Sequence, residues 1–248
     1  MIKTINGIEI EFDYKKINDK TIIFLHGFLG NLSSFNYYCQ KFNNFGYSTL
    51  NINLTDYGFK NLPQNFTIHD YAQTVNYLIK SLKIKNYVLV GHSFGGRIAT
   101  ILSATLSENK LLVLVCPAGI KQKNNLMVKL KILRYKFCKF LAKKKLYSTK
   151  KLSNFGSNDY KLVPNNLKKV FQNIINEDLT YLFEKIRCPT LLFFGKKDKE
   201  IPYKMSKIFN KKIKNSKLIT FESGHFCYLT EREKFIFNLK TFFKINNF

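Results

Sequence analysis

Residues 87–97 of this 248-residue chain are YVLVGHSFGGR, and this stretch decides the fold. An apolar run with strand propensity comes first and a helical pattern from Arg97 to Leu106 follows, with G-x-S-x-G centred on Ser93 between them. A serine on so sharp a strand-to-helix turn has a strained backbone, and side chains at Gly91 and Gly95 would collide with neighbouring backbone. The stretch therefore predicts a serine hydroxyl projecting from the sheet where a buried strand ends.

Other short apolar runs on both sides of this stretch predict further strands, and amphipathic runs between them predict helices. Short, fully apolar strands that alternate with helices are typical of a mostly parallel sheet covered on both faces. The chain is thus predicted to be an α/β protein. The predicted strands are 8–12, 21–25, 47–52, 87–90, 111–116, 190–194 and 217–221, and the predicted helices include 70–82, 97–106, 204–209 and 231–243.

One long segment interrupts this alternation. Between Ala118 and Arg187 the sequence has helical patterns and loops but no convincing strand. In an open α/β sheet such a segment is expected as an insertion above the carboxyl ends of the strands, where ligands bind. We therefore predict a core of residues 1–118 and 187–248, with a helical cap over 119–186.

A serine hydroxyl is a weak nucleophile and needs a base. Of the four histidines, His225 follows the last predicted strand, which places it on a loop at the carboxyl edge of the sheet. His69 belongs to a predicted helix, and the ring of His92 is expected to support the loop at the serine. We therefore predict that His225 is the base that activates Ser93.

The base in turn needs a group that fixes its tautomer and stabilises the imidazolium. Asp198 follows the strand 190–194, and Glu200, two residues further on, is its rival. The order Ser93, Asp198, His225 along the chain is the order expected of an α/β-hydrolase triad. Asp198 is our prediction for the orienting carboxylate.

A tetrahedral intermediate also needs two preorganised N–H donors. The amide of Phe94, directly after the serine, is expected to be one donor. The other is expected from the loop after the strand 21–25, where we predict the amide of Phe28. The residues predicted to support these loops are His26, Gly27, Gly91, His92 and Gly95.

At these residues the sequence resembles the α/β-hydrolase superfamily, and most of all small bacterial serine hydrolases with the elbow Gly-His-Ser-Phe-Gly-Gly-Arg, here 91–97. His26-Gly27 is similar to the oxyanion loop of that family, and Gly224-His225-Phe226 to its histidine loop. The resemblance implies eight strands, all but one parallel, and a helical cap inserted after the sixth. Serine at position 93, where dehalogenases and epoxide hydrolases of the superfamily have aspartate, disfavours those two activities.

The predicted function is a serine hydrolase that cleaves an acyl ester or thioester (EC 3.1) through an acyl-enzyme, with no cofactor and no metal. Carboxylesterase, thioesterase and lipase activities all remain open. One alternative is a carbon–carbon bond hydrolase that uses the same three residues. The other is a non-catalytic binding protein of this fold that acts through a basic cap.

The chain is strongly basic, with 41 Lys and Arg against 16 Asp and Glu and a net charge of +25. Thirteen of these cations and no acidic residue lie between Asn109 and Asn158, where Leu126, Leu130, Leu133, Phe137 and Phe140-Leu141 recur at helical spacing. The expected structure is a cap helix whose apolar stripe covers the pocket. Docking to an acidic carrier protein or an anionic membrane is the alternative, and nucleic acid is not expected because no recognition motif accompanies the charge.

The five cysteines are scattered and form no Cys-x-x-Cys pair, so they are expected to be free thiols in a reducing compartment. Cys116, at the end of an apolar strand, is expected to act as a small core residue. No stretch of 18 uninterrupted apolar residues is present, and no apolar signal core occupies the N-terminus. A cytoplasmic location is the resulting expectation.

Overall fold

The structure, a computed structural model, describes residues 1–54, 59–60, 62–63, 65–106, 108–121, 126–144, 148, 163 and 167–248. Within these residues, strands and helices alternate along most of the chain. The strands are β1 (Ile2–Ile5), β2 (Ile8–Lys15), β3 (Lys20–Leu25), β4 (Ser48–Ile52), β5 (Phe59–Lys60), β6 (Asn86–His92), β7 (Leu111–Val115), β8 (Thr190–Gly195) and β9 (Ser216–Phe221).

The helices fall between these strands and after the last of them. They are α1 (Ser33–Asn44), α2 (Ile68–Ser81), α3 (Phe94–Thr105), α4 (Leu126–Lys143), α5 (Lys168–Asn176), α6 (Thr180–Phe183), α7 (Lys204–Lys212), α8 (Cys227–Thr230) and α9 (Arg232–Ile245). Helix α2 begins with a capping box, in which Thr67 and Asp70 each bond the backbone N–H of the other. In the part of the chain described, no helix is both long enough and apolar enough to cross a bilayer.

The strands form one sheet in the order β1-β2-β4-β3-β6-β7-β8-β9, with the short β5 paired to β2. Strands β4, β3, β6, β7, β8 and β9 are parallel neighbours, whereas β2 is antiparallel to both β1 and β4. Strand β2 therefore runs alone against the direction of the other seven strands on this path. This arrangement confirms the predicted mostly parallel, eight-stranded sheet and its single reversed strand.

The sheet is buried on both faces, and its central strands are apolar at most positions. Strands β6, β7 and β8 carry buried side chains along almost their whole length. One apolar cluster packs α2 and α3 against one face of the sheet, and a second packs α1 and α9 against the other. The shared carboxyl ends of the parallel strands are thereby held at one edge of a rigid layer.

The connection from β7 to β8 contains helices α4, α5 and α6 among the residues described. Helix α6 and the residue before it contact the core, since Leu179, Leu182 and Phe183 are buried in the apolar cluster that contains α3. Residues 122–125, 145–147, 149–162 and 164–166 of the connection lie outside the described residues. The division into a core of 1–118 and 187–248 and a cap over 119–186 therefore stays a prediction.

Candidate active site

Ser93 lies on the turn between β6 and α3, at the carboxyl edge of the sheet. Its φ is +48° and its ψ is −108°, a strained backbone that non-glycine residues rarely adopt. The turn is fixed from both sides, because the amide of Ser93 donates to the carbonyl of Val115 at 3.0 Å and the amide of Ala118 donates to the carbonyl of Ser93 at 3.1 Å. The strain is thus maintained by the neighbouring strand β7 and its following loop.

The glycines two residues before and after Ser93 are required by close backbone approach. A Cβ on Gly95 would overlap the carbonyl oxygen of Leu25, and one on Gly91 would lie 2.6 Å from the carbonyl oxygen of Gly95. The predicted collision is therefore present at both positions. The tight turn lets α3 start directly behind the serine, with its N-terminal amides near the hydroxyl.

The loop after β3 lies against this turn. The amide of Gly95 donates to the carbonyl of His26 at 3.0 Å, and the rings of Phe28 and Phe94 meet edge to face at 5.8 Å between centroids. Among the described residues, the amides of Phe28 and Phe94 donate to no protein acceptor. The amides of Phe28 and Phe94 are therefore both available to a ligand. Their residues lie on the two neighbouring loops of the site, as an oxyanion hole requires.

His26 and His92 are buried next to these loops, and burial favours the neutral form of both rings. His26 is fully buried: its Nε2 accepts from the amide of Leu54 at 2.9 Å, so Nδ1–H donates to the carbonyl of Gly27 at 2.8 Å. Burial lowers the pKa of His26, and burial also lowers the pKa of His92 to about 3. His92 donates from Nε2 to the carbonyl of His225 at 3.1 Å, which ties the serine turn to the histidine loop.

His225 and Asp198 form the central polar contact of the site. His225 Nδ1 donates to Asp198 Oδ2 at 2.8 Å, and the Asp198 side chain is fully buried. The other carboxylate oxygen, Oδ1, accepts the amides of Glu200 and Ile201, each at 2.8 Å. These three hydrogen bonds hold the carboxylate of Asp198, which in turn fixes the orientation of the imidazole.

The two groups shift each other's pKa in opposite directions. Burial by itself raises the pKa of Asp198, but the hydrogen bond from His225 and the amides of Ile201 and Glu200 bring it below its usual value. Burial by itself lowers the pKa of His225, but the bond to Asp198, a contact with Cys116 and the charge of Glu200 raise it above its usual value. The pair therefore favours a carboxylate facing an imidazole that readily accepts a proton.

The second ring nitrogen of His225 faces Glu200. Nε2 lies 3.2 Å from Glu200 Oε2, and the Glu200 side chain is 55% exposed. Among the described residues, no hydrogen bond joins Ser93 Oγ to His225. Asp198 and its rival Glu200 thus occupy different nitrogens of one ring: the buried carboxylate fixes Nδ1, and the exposed one covers the nitrogen that a nucleophile would use.

Two residues beside the site were not predicted to be there. Cys116 Sγ, a carboxylate oxygen of Asp198 and a ring nitrogen of His225 all lie within 4.8 Å of one another, and Cys116 Sγ is 3.7 Å from Cys227 Sγ. Because His225 Nδ1 already donates to Asp198 Oδ2, this trio is a packed cluster in which Cys116 contacts His225. Its position directly after β7, between the strands that precede Ser93 and Asp198, is the signal that could have placed it here.

Helix α5 and the residues after it contact the same region from the insertion. The ring of Phe171 lies 4.7 Å from that of Phe28, and Phe171 is buried. The buried Arg97 donates to the carbonyl of Glu177 at 2.9 Å, and the Glu177 carboxylate lies 2.6 Å from His69 Nε2. The side chain of His69 is half exposed and lies beside Glu177. The rings of Phe94 and Phe171 both contact the ring of Phe28 beside the serine turn.

Helix α4 contradicts one expectation. Its apolar stripe was expected to cover a pocket, but the side chains of Leu130, Leu133, Phe137 and Phe140 are all more than half exposed. Cys138 is the buried side chain of this helix among those described. The stripe therefore faces solvent at these four positions, whereas Leu141 is half-buried and the side chain of Leu126 lies outside the described residues.

Known proteins resemble this chain in sequence and in fold. A family model described as the alpha/beta hydrolase fold matches residues 20–128. The AB hydrolase superfamily protein YisY of Bacillus subtilis is 27% identical over 239 residues, covering 87% of this chain and 88% of the relative. The putative esterase/lipase 1 of Mycoplasma genitalium is 24% identical over 276 residues, covering 96% and 98%.

Among solved structures, an esterase from Exiguobacterium antarcticum has a TM-score of 0.76 and 25% identity, with 98% of each chain covered. Its likeness extends over the whole sheet and so agrees with the strand order found here. Together with the serine turn at the carboxyl edge, these likenesses indicate that the chain is a hydrolase enzyme with the α/β-hydrolase fold.

Proposed function

We propose that the chain is a serine hydrolase that cleaves an acyl ester or thioester through an acyl-enzyme. The observation that carries this proposal is the bond between the buried Asp198 and His225, on a loop tied by His92 to the strained turn of Ser93. A fixed imidazole beside a projecting hydroxyl is the arrangement that nucleophilic acyl transfer needs.

In the proposed reaction, Ser93 Oγ attacks the acyl carbonyl and its proton passes to His225 Nε2. The negative charge that develops on the carbonyl oxygen is stabilised by the amides of Phe28 and Phe94. The imidazolium, stabilised by Asp198, then protonates the departing alcohol or thiol. His225 next takes a proton from water, whose oxygen attacks the acyl-enzyme and releases the acid and the serine hydroxyl.

Glu200 has to move for this reaction to start. Its carboxylate lies 3.2 Å from His225 Nε2, the nitrogen that receives the serine proton. Because the Glu200 side chain is half exposed, it can turn into solvent when a substrate enters. The contact therefore favours a resting site in which a protonated His225 is paired with Glu200, and His225 has to release this proton to solvent before Nε2 can accept the proton of Ser93.

The surroundings of the serine favour an apolar substrate group. The ring centroid of Phe28 lies 5.8 Å from that of Phe94 and 4.7 Å from that of Phe171. Aromatic faces contribute apolar contact area and no charge, so they suit an acyl chain or a small apolar alcohol. The relatives named as esterases or esterase/lipases support an ester as the substrate class.

The basic insertion adds a proposal about partners. None of the ion pairs among the described residues involves a cation of α4, so its exposed cations are available to an anionic partner. An acidic acyl carrier protein and an anionic membrane surface both have the complementary charge. The sequence offers no motif for nucleic acid.

The test combines a fluorophosphonate probe with p-nitrophenyl esters of increasing acyl length. We expect the wild type to be labelled and to turn over the esters, and Ser93→Ala to lose labelling and at least about 10⁴-fold of turnover. Ser206→Ala is the control for removal of a serine hydroxyl, because Ser206 is buried in α7 and is not a residue of the proposed site, whereas Ser93 is partly exposed. We expect this control to keep both activities.

Each alternative predicts a different outcome. A folded wild type that is neither labelled nor active would contradict the proposal and favour the binding protein. Probe labelling at Ser93 with turnover of a β-diketone but of no ester or thioester would favour the carbon–carbon bond hydrolase. Labelling that persists in Ser93→Ala would assign the nucleophile to another residue.

A further inference from the structure

The outward side of α4 combines exposed apolar side chains with cations. Leu130, Leu133, Phe137 and Phe140 are 52%, 64%, 61% and 53% exposed. At 100° per residue these four positions span an arc of about 80°, and along the axis they extend about 15 Å. They form one continuous strip, which we call the outer stripe. The other exposed apolar residues described do not repeat at such spacing on one helix.

The outer stripe points away from the protein. Cys138, the buried residue of α4, and the half-buried Tyr135 lie about 120° and 180° around the helix from its centre. Helix α4 therefore contacts the fold with one side and presents the outer stripe on the other. A monomeric soluble protein rarely exposes a strip of this kind without a partner that covers it.

Cations border the outer stripe on both sides. Arg134 and Lys136 are exposed and lie about 80° to either side of its centre. At the end of the helix the ammonium of Lys144 is 4.9 Å from the ring centroid of Phe140. No acidic residue occurs anywhere between Asn109 and Asn158. The face therefore has an apolar centre and a cationic rim.

We propose that the outer stripe of α4 binds the surface of a bilayer that contains anionic lipid, with Leu133 and Phe137 among the acyl chains and Arg134 and Lys136 at the headgroups. A helix with a strip of Leu and Phe bordered by Lys and Arg is the form that lies in a membrane interface. Charge complementarity selects anionic lipid, whereas an acidic protein partner would leave the apolar strip without a comparable environment. This inference rests on the anionic partner named in the proposed function and is independent of its reaction.

Binding is measured by cosedimentation with vesicles, using Ser93→Ala protein so that hydrolysis plays no part. We expect binding to vesicles of phosphatidylglycerol and phosphatidylcholine, and none to phosphatidylcholine alone. Leu133→Ser/Phe137→Ser and Arg134→Gln/Lys136→Gln should each weaken binding at least about tenfold. The matched controls are Phe237→Ser, at a side chain 69% exposed on α9, and Lys207→Gln/Lys211→Gln on α7, which should bind as the parent does.

A second readout uses the absence of tryptophan from the chain. Phe137→Trp places a single indole on the outer stripe, and Phe237→Trp places one on α9. We expect the emission of the first to move to shorter wavelength on anionic vesicles, and that of the second to stay constant. Because this measurement needs no activity, its failure is distinguishable from a failure of the proposed reaction.

Three results would overturn the inference. Binding that depends on the cations but not on Leu133 and Phe137 would indicate adsorption through net charge alone. Binding to an acidic acyl carrier protein but not to vesicles would assign α4 to that partner. A dimer in solution that Leu133→Ser/Phe137→Ser converts to monomer, with no vesicle binding, would assign the outer stripe to a second copy of the chain.

Discussion

The edge of the sheet that bears Ser93 and the outer stripe of α4 differ in almost every physical property. At the edge, Asp198 and His225 are buried and hydrogen-bonded to each other, on the loops that follow β8 and β9. On the outer stripe, apolar side chains are more than half exposed and nothing in the described chain covers them. We propose from this contrast that the core determines the chemistry, whereas the insertion determines where the protein meets its substrate.

Asp198→Asn tests the buried pair of Asp198 and His225, and we expect it to cause the largest loss of activity. Asparagine keeps the shape of the side chain but can hold His225 in the wrong tautomer, so we expect a loss of about 10⁴-fold in kcat for ester hydrolysis. The protein should remain folded, as judged by circular dichroism. If Asp198→Asn is nearly as active as the wild type and Glu200→Gln is inactive, the two carboxylates have the opposite roles.

Gly95→Ala tests whether the site depends on backbone packing. The added Cβ would overlap the carbonyl oxygen of Leu25, so we expect the free energy of unfolding to fall by about 3 kcal/mol or more. Urea denaturation measures this change. Gly224→Ala is the control, because its Cβ would meet its nearest neighbour at an ordinary 3.7 Å and should cost less than about 1 kcal/mol. Equal effects of the two variants would refute the packing argument.

Glu200→Gln sharpens the comparison at the exposed rim of the site. The Glu200 carboxylate favours the protonated imidazole and so raises the pKa of His225, which must be neutral to accept the serine proton. Removing the charge lowers this pKa. The acid limb of kcat/KM against pH should therefore move to lower pH by about half a unit.

Glu222→Gln is the matched control for Glu200→Gln. Glu222 is exposed, pairs with Lys196 at 2.5 Å and is not among the groups that raise the pKa of His225, so removal of its charge should leave the pH profile unchanged. A shift of the acid limb to higher pH in Glu200→Gln, or an equal shift in both variants, is incompatible with a direct effect of Glu200 on His225.

Leu133→Ser/Phe137→Ser should have the smallest effect of all on the isolated enzyme. Both side chains are more than 60% exposed, so we expect the free energy of unfolding to change by less than about 0.5 kcal/mol. Turnover of a short, water-soluble ester should be unchanged. A large loss of stability, measured by urea denaturation, would mean that the outer stripe is buried in solution, and the contrast between the two regions would disappear.

Much of the fold could be predicted from the sequence because its signals are local. The fully apolar runs before Ser93 and Asp198 can be buried only as central strands, and the glycines around Ser93 allow only a tight turn. The parallel sheet with one reversed strand followed from these signals and from the family resemblance. The residues of the candidate site also follow strand ends, so their gathering at one edge could be expected.

The contacts within the candidate site depend on distances and directions that only the tertiary structure provides. Asp198 and Glu200 are two residues apart in the sequence. Only the structure shows that Asp198 accepts from Nδ1 of His225, whereas Glu200 lies against Nε2. In the sequence Cys116 could not be distinguished from other residues of an apolar strand. Its proximity to His225 results from the packing of the neighbouring loops.

The same distinction holds for α4. Periodicity established that its apolar residues share one side of a helix, but periodicity is a property of a helix alone. Whether that side meets the core or the solvent depends on how the helix packs, and the packing turned it outward. The sequence thus determined which chemical groups this hydrolase has and the order in which they occur, while folding in three dimensions decided which of them touch, because contact is set by neighbours that are distant in the chain.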